Sequence, residues 1–337
     1  MLKRRTISAV GERNLIAHFQ KKLQNYKYLQ KPFIDIGDDA FVAGLTSSSM
    51  MVVSTDALVS DIHFSNRYMS YREIGRKAMM VNLSDLAAMG WVKPLYALIS
   101  CSLPKNFSFR DCDELFNGLS SAAYSYGVRI VGGDTVASPK PIFISITVIG
   151  EAKRKHIVTR SGAKKGDVIF SSGPLGFSYL GLILLSNSKN KHKLSKNTQK
   201  LLIKRHVNPE PKFELAEILA KNKLATSLID SSDGLQVSIR EITRSSNVGA
   251  RLDITQLVEN PVIKSVCAKL KVDPVKICAG GGEDYELIFT VPRHKAAFVR
   301  KKVASAIEVG EISAPDAGVS YNLGVIRVSP EVDFKHF

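Results

Sequence analysis

Three apolar segments of this chain run into aspartate among small residues, and that recurrence constrains the fold more than any bulk property. The first is Met51-Val52-Val53, which delivers Ser54-Thr55-Asp56 to one point. No Lys or Arg lies within ten residues of Asp56 on either side. An unpaired buried carboxylate costs several kcal/mol or shifts its pKa, so Asp56 needs a backbone donor, a distant cation or a metal. The same arrangement recurs at Val128-Arg129-Ile130-Val131-Gly132-Gly133-Asp134 and at Leu228-Ile229-Asp230-Ser231-Ser232-Asp233-Gly234. Three strand ends of this kind imply one shared pool of oxygen ligands. Hard divalent cations such as Mg²⁺ prefer such ligands and commonly bridge to phosphates.

At 337 residues the chain has room for two domains of ordinary size. With 45% hydrophobic and 23% charged residues it reads as a soluble globular protein. It contains no apolar run long enough for a membrane span. Lys3-Arg4-Arg5 is basic but lacks the apolar core and cleavage site of a secretory signal. Cys101, Cys112, Cys267 and Cys278 form no Cys-x-x-Cys pair, and no His stands at zinc-finger spacing. They are expected as small buried hydrophobes in a reducing cytoplasm.

The net charge of +16 is concentrated in Lys153-Arg154-Lys155, Lys164-Lys165 and the run from Lys189 to Arg205. These runs lack the interleaved aromatics of single-strand binders. They read as solvated surface, and no nucleic-acid partner is expected. Acidic spots within a cationic shell suit metal-bound phosphates as ligands.

Along the chain, Leu15, Ile16, Phe19 and Leu23 predict a helix over 14–28. Gly37 permits a tight turn before Asp38 and Asp39, which taken alone read more readily as a solvated hairpin turn. Ser70 caps a predicted helix to Met89, with Gly90 as its stop. On it Asn82 and Asp85 share a face within an apolar run, as functional groups or as a buried cap. Strands are predicted over 95–103 and 128–131, with a helix over 111–126 between them. Gly132-Gly133-Asp134-Thr135 is expected to end the second strand, its glycines letting a phosphate approach the backbone. A strand over 142–149 leads into a basic junction over 153–165 that divides residues 1–150 from 151–337.

The second half opens with a strand over 168–171, and Gly173-Pro174-Leu175-Gly176 starts a helix without being a P-loop. The segment 186–200 is expected as a solvated loop or helix end, followed by a helix over 211–220 and a strand over 225–229. Asp230 and Asp233 then lie close enough to share ions, while Ser232 or Asp233 could simply cap the next helix. Gly280-Gly281-Gly282-Glu283-Asp284 is either a ligand-facing loop or a plain flexible turn. His63 taken alone is more ordinary as a structural residue. The two halves share a strand-then-Asp theme, which predicts paired α+β domains.

Taken together, Ile36-Gly37-Asp38-Asp39-Ala40, Ser54-Thr55-Asp56, His63-Phe64, Val81-Asn82-Leu83-Ser84-Asp85, Gly132-Gly133-Asp134-Thr135, Thr159-Arg160-Ser161-Gly162, Asp230-Ser231-Ser232-Asp233-Gly234 and Gly281-Gly282-Glu283-Asp284-Tyr285-Glu286 resemble the thiamine-monophosphate kinase family. The resemblance spans nearly the whole chain, in order. It implies ATP-dependent phosphorylation of thiamine monophosphate to thiamine diphosphate. It implies a two-domain α+β fold whose N-terminal mixed sheet pairs across a homodimer into a barrel, with an α/β sandwich-like C-terminal domain completing the site. It implies several Mg²⁺ ions held by Asp39, Ser54, Thr55, Asp56, Asp85, Asp134, Asp230 and Asp233, and ATP contacts from Gly133, Asp134, Arg160 and Ser232. His63, Glu283 and a C-terminal aromatic, here Phe334, would contact the thiamine phosphate. Asp61 and Ser231 depart from the family pattern, which usually has a small and an apolar residue there.

Phosphoryl transfer asks for position and charge neutralisation more than covalent chemistry. The acceptor phosphate is already ionised, so direct transfer with no catalytic base or phosphoenzyme is expected. Relatives that rely on a reactive terminal Cys are disfavoured, because neither terminus here carries one. A basic nucleic-acid binder or a non-catalytic relative would have no need of the full acidic set.

Overall fold

The computed structural model describes residues 12–23, 32–46, 48–139 and 141–328. Among these residues two mixed sheets carry the fold. The first has the order β1 (Phe41–Gly44), β2 (Ser49–Val59), β5 (Phe143–Lys153), β3 (Lys93–Pro104), β4 (Arg129–Ser138). Its pairs are antiparallel except β3 with β4, which is parallel and is joined by the crossover helix Phe109–Ser125. The second has the order β12 (Ile326–Val328), β11 (Val319–Leu323), β8 (Gly249–Asp253), β10 (Ile307–Ser313), β6 (Val168–Ser171), β9 (Leu287–Val291), β7 (Ser227–Asp230). Neither sheet closes on itself in the single chain. The architecture is thus the expected two-sheet α+β fold.

The helix Tyr71–Ala88 organises the site. Ser70 and Glu73 form a capping box at its start, which satisfies two orphan amides. Its long buried face packs on the first sheet through Ile74, Ala78, Val81 and Leu86. It meets the helix Phe109–Ser125 at two facing glycines: a Cβ on Gly75 would lie 2.0 Å from the Leu115 carbonyl, and one on Gly118 2.0 Å from that of Arg72. Ala88 at its end enters a separate cluster with Phe170, Leu228, Leu287 and Phe289 of the second sheet. One helix therefore packs against both sheets and fixes their relation.

Several expectations shift in detail. The first helix is Glu12–Leu23, and residues 24–28 of its predicted span lie outside the described residues. Gly132-Gly133-Asp134-Thr135 does not end a strand, because β4 continues through it to Ser138 on parallel pairing with β3. The basic segment 186–200, expected as a solvated loop or helix end, forms a helical turn at Ser188–Lys191 and the start of the helix Lys196–Val207, capped by Ser195. The apolar stripe of that helix is short, with Leu202, His206 and Val207 buried, and its many lysines hid the pattern. No helix of the described residues is long and apolar enough to cross a membrane.

Candidate active site

Asp39, Asp85 and Asp230 each bring a carboxylate oxygen within 4.8 Å of the other two. They come from three separate places: the turn before β1, the last turn of the helix Tyr71–Ala88, and the final residue of β7. Small polar side chains set their orientation. Ser54 Oγ lies 2.6 Å from Asp85 Oδ2 and 3.1 Å from the Asp39 carbonyl. Ser84 Oγ donates to Asp230 Oδ2 at 2.6 Å. The buried Asn82 side chain accepts the Asp56 amide at 2.9 Å and donates to the Ala78 carbonyl at 2.9 Å. That pair pins β2 to the helix at the level of the carboxylates.

The group is short of positive charge. Burial pushes the Asp85 carboxyl well above its usual range, and the charges of Asp56, Asp230 and Asp39 push it further. Asp230 is pushed up to about 8, by burial first and Asp39 second, with Ser84 opposing. Asp38 is pushed up to about 7 by burial and by Asp39. The cation that meets them is Arg160, whose guanidinium donates to Asp39 Oδ1 at 2.6 Å and whose amide lies 3.2 Å from Asp38 Oδ2. Asp39 Oδ2 is buried with no hydrogen-bond partner. An orphaned carboxylate oxygen beside two further acids is the donor set a hard divalent cation would satisfy.

The other predicted metal residues do not all join this group, and Asp134 stands on the edge strand β4, three strands from β2. Thr55 and Asp56 are exposed in the middle of β2, which runs on to Val59 rather than ending there. The Thr55 hydroxyl donates to the Ile146 carbonyl at 3.1 Å. Asp134 is exposed on β4, outside the group of three, and its carboxylate accepts its neighbour's amide, from Thr135, at 2.9 Å. Together with Gly133 it lines a cavity of about 430 Å³, whose apolar wall includes Ile99, Leu115 and Phe116.

Ser232 and Asp233 follow β7 and are tied to the glycine-rich loop. The Ser232 carbonyl accepts the Glu283 amide at 2.6 Å, the Ser231 carbonyl accepts that of Tyr285 at 3.1 Å, and the Ser231 amide donates to Glu286 at 2.8 Å. Glu283 and Tyr285 take left-handed backbone at φ 63° and 51°, so this loop is held in an uncommon shape by its neighbour. Ser231 is fully buried with its hydroxyl unpartnered. Asp61 has φ 63° and pairs with Arg67 and Ser65 at 3.0 Å each, bracing the turn before His63. His63 Nδ1 accepts the Val59 amide at 3.1 Å. Phe334 lies outside the described residues.

Sequence reasoning missed Lys77 and His206. Lys77 is fully buried, with Nζ 2.9 Å from Glu283 Oε1 and 3.3 Å from the His63 carbonyl. His206 is buried, with Nδ1 3.3 Å from Glu283 Oε2 and 3.1 Å from Ser178 Oγ. Burial and Lys77 push its imidazole down to about 4, against the pull of Glu283, so the ring is neutral at pH 7. Behind it, Glu286 pairs with Arg205 at 2.8 Å and Lys212 at 3.0 Å. Acids on the Gly-Gly-Glu-Asp-Tyr-Glu loop are thus matched by Lys77 of the helix Tyr71–Ala88, by Arg205 at the end of the basic run expected as solvated surface, and by Lys212 beyond it.

The chain as a whole is similar to known proteins. Residues 37–152 match the family model of the AIR synthase related protein N-terminal domain, and residues 164–321 that of its C-terminal domain. The thiamine-monophosphate kinase of Bacillus subtilis is 33% identical over 81% of this chain and 82% of its own. That of Escherichia coli K12 is 33% identical over 84% and 83%. The solved structure of AaThiL complexed with AMPPCP and TMP superposes with a TM-score of 0.84 at 30% identity, covering 100% of both chains. The hydrogenase maturation protein HypE in complex with ATP shares the fold, with a TM-score of 0.63 at 21% identity over 90% of each chain.

Proposed function

Since the chain belongs to the thiamine-monophosphate kinase family, within the AIR synthase related proteins, we infer that it transfers the γ-phosphoryl group of ATP to thiamine monophosphate, giving ADP and thiamine diphosphate. The observation that carries this reading is the convergence of Asp39, Asp85 and Asp230 beside Arg160, on a fold matched along its whole length to a kinase holding an ATP analogue and TMP.

In this reading Asp39, Asp85 and Asp230, together with Ser54, Thr55, Asp56, Asp134 and Asp233, would hold several Mg²⁺ ions. Bound there, the metal supplies neutralisation of the two polyanionic phosphates. The protein's own groups position the reactants. Gly133, Asp134, Arg160 and Ser232 face ATP, and the apolar wall of the neighbouring cavity, Ile99, Leu115 and Phe116, suits a purine. His63 and Glu283 face the acceptor. An ionised phosphate oxygen of the acceptor attacks the γ-phosphorus as the bond to the β-phosphate oxygen breaks. No base is needed to ionise the acceptor, and transfer is direct.

The reading also includes a homodimer. On β3 and β4, Leu98, Tyr96, Val131 and Val136 are 40–51% exposed in the single chain, an apolar sheet surface that a second copy would cover. Residues 1–150 then form the nucleotide and dimerisation part, and 151–337 complete the site. Four unpaired cysteines suit a cytoplasmic setting.

The test is ADP release with thiamine monophosphate against other acceptors, with and without Mg²⁺. Turnover is expected only with thiamine monophosphate and metal. D56N and D134N should abolish turnover while leaving the circular-dichroism spectrum intact, and activity retained in both would overturn the metal assignment. Acid-stable phosphate on the protein after a rapid quench with γ-labelled ATP would rule out direct transfer.

A further inference from the structure

The two residues assigned to the acceptor, His63 and Glu283, lie 220 positions apart in the chain, and one side chain touches both. Lys77 enters from the helix Tyr71–Ala88, fully buried, with Nζ 2.9 Å from Glu283 Oε1 and 3.3 Å from the His63 carbonyl oxygen. The other oxygen of Glu283, Oε2, lies 3.3 Å from His206 Nδ1. The backbone of Glu283 is fixed as well, by its amide on the Ser232 carbonyl at 2.6 Å and by its left-handed φ of 63°.

We propose that Lys77, seconded by His206, is the positioning residue of the acceptor site, acting through Glu283. This rests on the kinase reading above. Three observations set the pair apart from an ordinary ion pair. An ammonium with no solvent exposure is retained only where a partner compensates its desolvation, and removing the partner is strongly destabilising. The two Glu283 oxygens each face a group from a different element, Lys77 Nζ at 2.9 Å on one side and His206 Nδ1 at 3.3 Å on the other. Yet the Glu283 side chain keeps 27% exposure, so a clamped carboxylate still presents a face to the site. Burial pushes the Glu283 carboxyl up, but the charge and hydrogen bond of Lys77, with His206 and His63, together outweigh it and hold the group below its usual range, so it stays an anion. Such a group selects a cationic or hydrogen-bond-donating part of the acceptor, and its placement decides acceptor affinity more than nucleotide affinity.

The test compares wild type, K77M, K77R, E283Q and the double variant K77M/E283Q in steady-state kinetics with both substrates varied. Loss of the clamp is expected to raise the KM for thiamine monophosphate at least tenfold in K77M, with the KM for ATP within twofold. K77R, which keeps the charge, is expected to recover part of that loss. Because Lys77 acts through Glu283, the double variant should be no worse than E283Q alone. A double variant tenfold worse than E283Q overturns the proposal, as does a K77M variant whose two KM values move together. The double variant buries no unpaired charge, so it carries the test even if K77M fails to fold. Wild type that turns over no thiamine monophosphate would instead overturn the kinase reading, a separate outcome.

Discussion

Arg160 Nη2 lies 2.6 Å from Asp39 Oδ1, and this bond ties the segment between the two sheets to the turn that opens the first. The Asp39 side chain is 1% exposed and that of Arg160 21%. Removing one partner of a buried pair typically costs about 3–5 kcal/mol, because the other charge is left uncompensated. R160M should therefore lower stability by about 3 kcal/mol in urea melts without metal. Added Mg²⁺ should recover much of the loss, since a cation then takes the place of the guanidinium. An unchanged urea midpoint would remove Arg160 from the charge balance of the site.

Asp230 makes the opposite prediction. Its carboxyl titrates near 8 in the folded protein, against 3.8 when unfolded. A group raised in this way favours the folded state fully below pH 3.8, and that contribution is lost as pH rises through 8. Metal-free wild type should thus lose stability between about pH 5 and 9. D230N carries no charge to bury, and its amide oxygen still accepts from Ser84. It should be more stable than wild type by about 1–2 kcal/mol at pH 9 without metal, yet show no turnover and a reduced thermal shift with Mg²⁺. A metal-free D230N less stable than wild type at pH 9 would contradict the charge crowding.

Much of the site was legible in the sequence because its residues stand beside strong local signals. Ser54 and Asp56 follow an apolar β-branched run, Asp85 lies within a capped helix, and Asp230 ends a fully buried strand. Lys77 was not legible. It stands four residues after Glu73, the spacing of a solvated helix pair, but Glu73 is engaged at the cap with Ser70. His206 was hidden in a lysine-rich segment whose buried positions are few. The path of β4 through Gly132-Gly133 was misjudged for a related reason. Two glycines read as a break, whereas here a tight strand approach requires one of them.

His206 gives a pH dependence of the other sign. Its ring titrates near 4 when folded and at 6.5 when unfolded, because burial and Lys77 disfavour the charged form. A depressed pKa of this kind contributes stability above pH 6.5 that is lost as pH falls toward 4. Linkage puts the contribution at roughly 3 kcal/mol at most. H206Q should flatten the fall in urea midpoint between about pH 6.5 and 4.5 relative to wild type. Identical slopes in the two proteins would mean that other groups govern acid sensitivity.

Gly133 offers the sharpest test of the proposed nucleotide wall. The pairing of β4 with β3 slips between Ala97 and Leu98, where Val131 is left without a partner. Beyond that bulge Gly133 has φ +151°, and a Cβ there would lie 1.7 Å from the Ile99 carbonyl oxygen and 2.6 Å from its carbon. Those are backbone atoms of a paired strand, so the clash is relieved only by parting β3 from β4. G133A should cost about 1–3 kcal/mol as an overpacking change. It should also raise the KM for ATP tenfold or more, because the same separation displaces Asp134 and the cavity wall. Gly132 is the internal control, since a Cβ there meets only the Leu98 side chain, at 3.4 Å. G132A should leave stability within about 0.5–1 kcal/mol of wild type. Equal effects of the two substitutions on stability and on the KM for ATP would show that strand flexibility, and not the close approach at Gly133, sets the geometry of this wall.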